Sequence, residues 1–119
     1  MDYNLEERTE KFGESIILFC QQLRNNPINA PLITQIIRSA TSIGANYCEA
    51  NEASSKKDFY NKVYISKKEA HETKHWLRML SIGNPDQSDT CRKLWKECQE
   101  IVLILSKIVD SSKKGKLSK

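Results

Sequence analysis

The sequence predicts an all-α fold, an up-down-up-down antiparallel four-helix bundle. Three observations predict it. Apolar and small residues recur in steps of 3 and 4 through four long stretches, which keeps one stripe on one face of a helix. The few Pro and Gly residues gather at short joints between those stretches, and short joints make successive helices antiparallel neighbours. The strict alternation of a half-buried strand is absent. At 119 residues the chain has the size of one domain. The bundle is expected over residues 1–112, with residues 113–119 as a basic disordered tail.

Helix one is expected over about 5–24. Asn4 is its N-cap, and Glu6 and Glu7 fall in the first turn, where the positive end of the helix dipole favours carboxylates. Leu5, Thr9, Phe12, Ile16, Phe19 and Leu23 form its stripe, and Asn25, Asn26 and Pro27 end it. Helix two is expected over about 30–51, capped by Asn29. Pro31 sits in its first turn, where a missing N–H costs little. Ile33, Ile36, Ala40, Ile43, Tyr47 and Ala50 keep the period. Its middle, Ser39 to Ser42 followed by Gly44 and Ala45, is small on every face. Such a helix packs tightly within its own chain, and its second face is open to a subunit contact.

Helix three is expected over about 56–81, where Ser55 and Asp58 resemble a capping box. Its stripe is Phe59, Val63, Ser66, Ala70, Thr73, Leu77 and Leu80, and Gly83, Asn84 and Pro85 mark its stop. Helix four is expected over about 87–110, with the stripe Cys91, Leu94, Cys98, Ile101, Leu105 and Ile108.

Charge is unevenly shared. Residues 1–52 carry four Lys/Arg and seven Asp/Glu, a net of −3; residues 53–119 carry fifteen and eight, a net of +7. An acidic front and a basic back suit an anionic partner, or head-to-tail contact between subunits. No run of 18 apolar residues is present, so no membrane span is expected. The acidic start, with Asp2, Glu6 and Glu7, lacks the basic and apolar regions of a secretory signal, and a cytoplasmic location is expected. Cys20, Cys48, Cys91 and Cys98 form no C-x-x-C pair and are expected as small buried hydrophobes.

One motif suggests an enzyme. His71-Glu72-Thr73-Lys74-His75 matches the H-E-x-x-H pattern, in which two His one turn apart bind zinc and the Glu is general base. The heptad register argues against it. With Val63, Ala70 and Leu77 at position a, these three residues fall at b, c and f, away from the core. A third ligand would be Glu97 or Glu100 on another helix. Nothing resembles a Gly-rich phosphate loop or a G-x-S-x-G elbow, so neither a cofactor nor a small-molecule substrate is expected.

The same register divides helix three. Positions b, e and f hold Lys57, Tyr60, Asn61, Tyr64, Lys67, Lys68, His71, Lys74, His75 and Arg78, with no carboxylate. Lysines there would neutralise phosphates and tyrosines would stack on bases; the other reading is a solvated helix face. The candidate nucleic-acid contacts are Lys57, Tyr64, Lys67, Lys68, Lys74 and Arg78. Positions c and g hold Asp58, Lys62, Ile65, Glu69, Glu72, Trp76 and Met79, a flank expected to pack. Mirror spacing about a turn near Ser54 sets Arg38 level with Ala70, so Arg38 is expected to pair with Glu69 or Glu72. Asn46 and Glu49 on helix two, with Trp76, complete the structural or interface candidates.

The residues Ile37 to Asn46, Glu49-Ala50, Asp58-Phe59, Lys67 to Ala70, Glu72-Thr73 and Trp76-Leu77 together resemble the bacterial four-helix-bundle family named after the 23S rRNA intervening-sequence protein. The accessory protein of diversity-generating retroelements is similar. The resemblance implies a ring-like homo-oligomer, by analogy a pentamer, with no known enzymatic activity, and nucleic-acid binding through basic residues. The expected function is therefore a non-enzymatic bundle that assembles with itself and contacts structured RNA or DNA. The alternative is an oligomeric protein-binding adaptor, and a metal-dependent hydrolase using His71, Glu72 and His75 is a distant third.

Overall fold

The computed structural model describes the backbone of residues 4–117 and the side chains of residues 4–112. Four α-helices lie among these residues: α1 (Leu5–Gln21), α2 (Asn29–Asn51), α3 (Lys56–Gly83) and α4 (Ser88–Leu117). A 3-10 turn at Pro85–Gln87 leads into α4. The described residues contain no strand. The helices run up-down-up-down in a rod of 53 × 23 × 21 Å. The broadest interfaces are α2 with α3 and α3 with α4; α1 lies on α2 and meets α4 over a small area.

The core follows the sequence stripes. Phe12, Ile16, Ile36, Ala40, Ile43, Val63, Ala70, Leu77, Leu80, Cys98, Ile101 and Leu105 are all buried. Small polar residues let α2 and α3 approach closely without leaving polar atoms unpaired. Ser39 and Thr73 share a hydroxyl hydrogen bond of 2.8 Å, and the Ser66 hydroxyl donates to the Ile43 carbonyl at 2.7 Å. Gly44 serves the α1–α2 contact: a Cβ there would sit 3.3 Å from Thr9 Oγ1.

The helix ends show where local sequence was overruled. Asn4 caps α1 as expected, accepting from the Glu7 N–H at 3.2 Å, with φ 38° that Asn tolerates. α1 stops at Gln21, short of Arg24, because the Gln22 and Leu23 N–H groups bond three residues back and tighten the last turn. Asn29 does not cap α2. It is the first helical residue and is buried, while the Asn26 side chain accepts from the N–H groups of Ile28 and Asn29 at 3.0 and 2.7 Å. Ser55 caps α3 by accepting from the Asp58 N–H, and α3 continues two residues past Ser81 to Gly83.

Buried Asn29 and Asn84 tie the α1–α2 and α3–α4 joints together. Asn29 Nδ2 donates to Asn84 Oδ1 at 3.0 Å, and Asn84 Nδ2 returns a bond to Asn29 Oδ1 at 2.9 Å. Their second amide protons go to the Arg24 and Leu80 carbonyls.

The α4 backbone runs past Asp110 to Leu117. Of the expected basic tail, the side chains of residues 113–117 and all of residues 118–119 lie outside the described residues. Cys48 corrects the expectation of four buried cysteines. Cys20, Cys91 and Cys98 are buried, but Cys48 is exposed on α2 beside Glu6.

Candidate nucleic-acid interface

The two flanks of α3 face different neighbours. The c and g flank meets α2, and its charges are satisfied there. Arg38 donates to Glu69 at 3.2 Å and also to Glu72, the pairing that mirror spacing expects. Trp76 Nε1 donates to Glu72 at 3.1 Å, and Lys62 pairs with Glu49 at 2.6 Å. Asn46 bonds locally, donating to the Ser42 carbonyl. All of these partners belong to one chain. They form a seam that fixes the rotation of α3 about its own axis.

The same seam occupies the Glu of the His motif. Glu72 is turned to Arg38 and Trp76, while His71 and His75 are exposed and His75 packs edge-on against Trp76 with ring centroids 4.8 Å apart. Glu97 and Glu100, the alternative carboxylate ligands, are held by Arg8 of α1 at 2.8 Å each. Those two carboxylates raise the Arg8 pKa further above its ordinary value. No group of three metal-ligating side chains gathers among the described residues.

The b, e and f flank is cationic and divides in two. Lys57, Tyr64 and Lys68 are exposed and Lys67 is half-exposed. Lys68 Nζ lies 5.8 Å from the Tyr64 ring centroid. Among the described residues none of these lysines pairs with a carboxylate. His71 stands between Lys67 and Lys74. Partial burial, and then the charges of Lys74 and Lys67, lower its pKa from the ordinary imidazole value.

Lys74 and Arg78 depart from that surface. Lys74 donates to Gln99 of α4 and lies 4.8 Å over the Trp95 ring. The Arg78 guanidinium sits 5.7 Å from the same ring. The indole attracts both cations through its negative face. The continuous arc read from the heptad is thus an outer patch of Lys57, Tyr64, Lys67 and Lys68, and an inner pair stacked on α4. Sequence reasoning missed this, although mirror spacing about residues 86–87 sets Lys74 level with Gln99. The Trp95 N–H is buried and has no acceptor.

Grooves lie between neighbouring helices of the bundle. Between α3 and α4, Leu77, Arg78, Ser81, Ser88, Cys91, Arg92 and Trp95 line a groove of about 230 Å³. Between α1 and α2 lies a groove of about 360 Å³ with a floor of Gly13, Thr41, Gly44 and Ala45 and a rim of Glu6, Glu10 and Glu14. Cys48 on that rim has a raised pKa, chiefly because of the Glu6 charge. No helix among the described residues is long and apolar enough to cross a membrane.

A solved structure of a protein of unknown function from the S23 ribosomal protein family of Bacteroides thetaiotaomicron superposes on this chain with a TM-score of 0.81 at 33% identity. The match covers 88% of this chain and 97% of that one. No curated protein matches. The model of the 23S rRNA-intervening sequence protein family matches residues 1–107, which takes in α1 to α3 and most of α4. The bundle agrees with that match, and the chain belongs to the 23S rRNA-intervening sequence protein family.

Proposed function

We propose that this chain is a non-enzymatic, cytoplasmic bundle that assembles into a ring-like homo-oligomer, a pentamer by family analogy, and binds structured RNA or DNA through the outer patch of α3. The observation that carries the reading is the cluster of Lys57, Lys67 and Lys68 around exposed Tyr64, without a carboxylate partner among the described residues. The α3 carboxylates Glu69 and Glu72 are held on the other flank by Arg38. Uncompensated lysines suit a polyanion, and an exposed tyrosine suits base stacking.

Self-assembly is supported by the α1–α2 groove. Its floor is made of small residues, its rim is acidic, Ile17 lines it, and Ile17 and Leu18 are exposed. The outer face of α4 is complementary, with exposed Arg92, Lys93, Lys96 and Lys107 around Leu103. A groove on one side and a basic ridge on another make a head-to-tail contact, which closes rings when the rotation per subunit allows it. The same surface supports the second reading, an adaptor that binds basic protein segments and no nucleic acid.

Fluorescence anisotropy with structured RNA and duplex DNA across a salt series separates the two. Each lysine that neutralises a phosphate contributes about −0.9 to the slope of log K against log salt on duplex DNA. Lys67→Ala with Lys68→Ala should therefore flatten the slope by about 2 per engaged protomer, and Lys67→Glu with Lys68→Glu should abolish binding. Salt-independent binding, or none at 50 mM salt, rejects the nucleic-acid reading. A monomer in sedimentation at micromolar concentration rejects the ring.

A further inference from the structure

The α3–α4 groove lies beside the outer patch and has a different chemistry. Leu77, Cys91 and the Trp95 ring give it an apolar floor. Arg78 and Arg92 stand on its rim, and the Ser81 and Ser88 hydroxyls line it. Arg78 has no carboxylate partner among the described residues, and Arg92 pairs only with exposed Asp89 of its own helix. Neither serine hydroxyl makes a hydrogen bond among the described residues. The groove therefore holds unused donors of two kinds on an apolar base.

The Arg78 guanidinium lies 5.7 Å from the Trp95 ring centroid, and the indole's negative face draws the cation toward it before any ligand arrives. The planar guanidinium fork matches two oxygens of a phosphate, which an ammonium cannot do. About 230 Å³ is below the range of an ordinary small-molecule pocket. One phosphate with part of its sugar or base is of that size.

We propose that this groove is a subsite for a terminal phosphate of a nucleic-acid strand, gripped by Arg78 and Arg92, with the adjoining sugar or base against the half-buried Trp95 ring. This rests on the nucleic-acid reading of the outer patch and adds end recognition to it. A terminal phosphate monoester carries more charge and one more free oxygen than the diesters along the strand. It therefore makes fuller use of two guanidiniums and two hydroxyls.

The test compares one single-stranded oligonucleotide with phosphate or hydroxyl at each end, using the full chain. Binding is read by anisotropy, and by Trp95 fluorescence in a Trp76→Phe background. The phosphorylated strand should bind about tenfold more tightly than its hydroxyl counterpart, as expected for a charge-assisted bidentate contact. Arg78→Lys keeps the charge and should erase that ratio while leaving hydroxyl-ended binding near wild type. Arg92→Ala should reduce the ratio several-fold. Inorganic phosphate should compete with the phosphorylated strand and not with the other. Equal affinity for both strands, with their salt dependence intact, overturns the subsite and leaves the outer-patch reading standing. No binding of either strand also overturns the subsite, while the salt series with structured RNA and duplex DNA decides the outer-patch reading separately. A ratio that survives Arg78→Lys overturns the assignment to this groove.

Discussion

Removing the Asn84 side chain should cost more stability than an ordinary surface substitution. Asn84→Ala takes away the only side-chain donor to Asn29 Oδ1 among the described residues, and Asn29 is fully buried. A buried acceptor left without a partner costs about 1–3 kcal/mol. Asn84→Ala also frees the Leu80 carbonyl from one bond, although the Asn84 backbone N–H still reaches that carbonyl at 2.9 Å. The unpaired amide oxygen therefore dominates, and about 2 kcal/mol is expected. Asn29→Ala strands Asn84 Oδ1 in the same way and should cost a similar amount. The double substitution strands neither oxygen, so its cost should fall below the sum by about 1–2 kcal/mol, within the range for residues in direct contact. Urea unfolding at one fixed protein concentration measures all three, because assembly makes apparent stability concentration-dependent. Strict additivity, or a loss below about 0.5 kcal/mol for Asn84→Ala, a size typical of surface changes, would refute the claim that the amide pair clamps the two joints.

Two further expectations concern titratable groups. Burial pushes the Cys20 and Cys91 thiols up to about 11 and Cys98 up to about 12, so at pH 8 a thiol reagent should modify Cys48 alone in the folded chain and all four cysteines in denaturant. Fast labelling of a second thiol in native buffer would contradict the packing of the core. His71 has a lowered pKa in the folded chain, so the unfolded chain binds the extra proton first as pH falls. Stability should be intact above the unfolded imidazole pKa, about 6.5, and should decline as pH drops through the lower folded value. His71→Gln should flatten that part of a Tm-against-pH curve, and an unchanged curve would show that the imidazole contributes nothing.

Much of the bundle was legible because heptad spacing is a local signal that burial enforces everywhere along a helix. Ile36, Ala40 and Ile43 on α2, and Val63, Ala70 and Leu77 on α3, lie buried where the period placed them. Arg38 was legible too, since an antiparallel hairpin maps one residue number onto another. Helix ends were less so. Asn26 and Asn29 are equally good caps by composition, and only the distant Asn84 amide decides that Asn29 turns inward. The division of the basic arc was not legible from α3 alone. Whether Lys74 meets water or an indole depends on Trp95 and Gln99 of α4, and a helical wheel of one element does not carry its neighbour. The α1–α2 groove was visible only as a run of small residues, and its acidic rim belongs to the other helix.

The seam formed by Arg38, Glu49, Lys62, Glu69 and Glu72 has a consequence for avidity. It runs beside the buried α2–α3 core, and the two together hold α3 against α2, so the outer patch keeps a constant bearing relative to the α1–α2 groove. In a ring built through that groove, every copy then offers Lys57, Lys67 and Lys68 at the same angle. One patch neutralises few phosphates and is weak alone. Rigid, repeated patches turn each contact after the first into an intramolecular event, which raises overall affinity by about 10²–10⁴ when the geometry allows simultaneous engagement. Loosening the seam would leave every lysine in place and still forfeit that gain, because the copies would no longer address the same strand together.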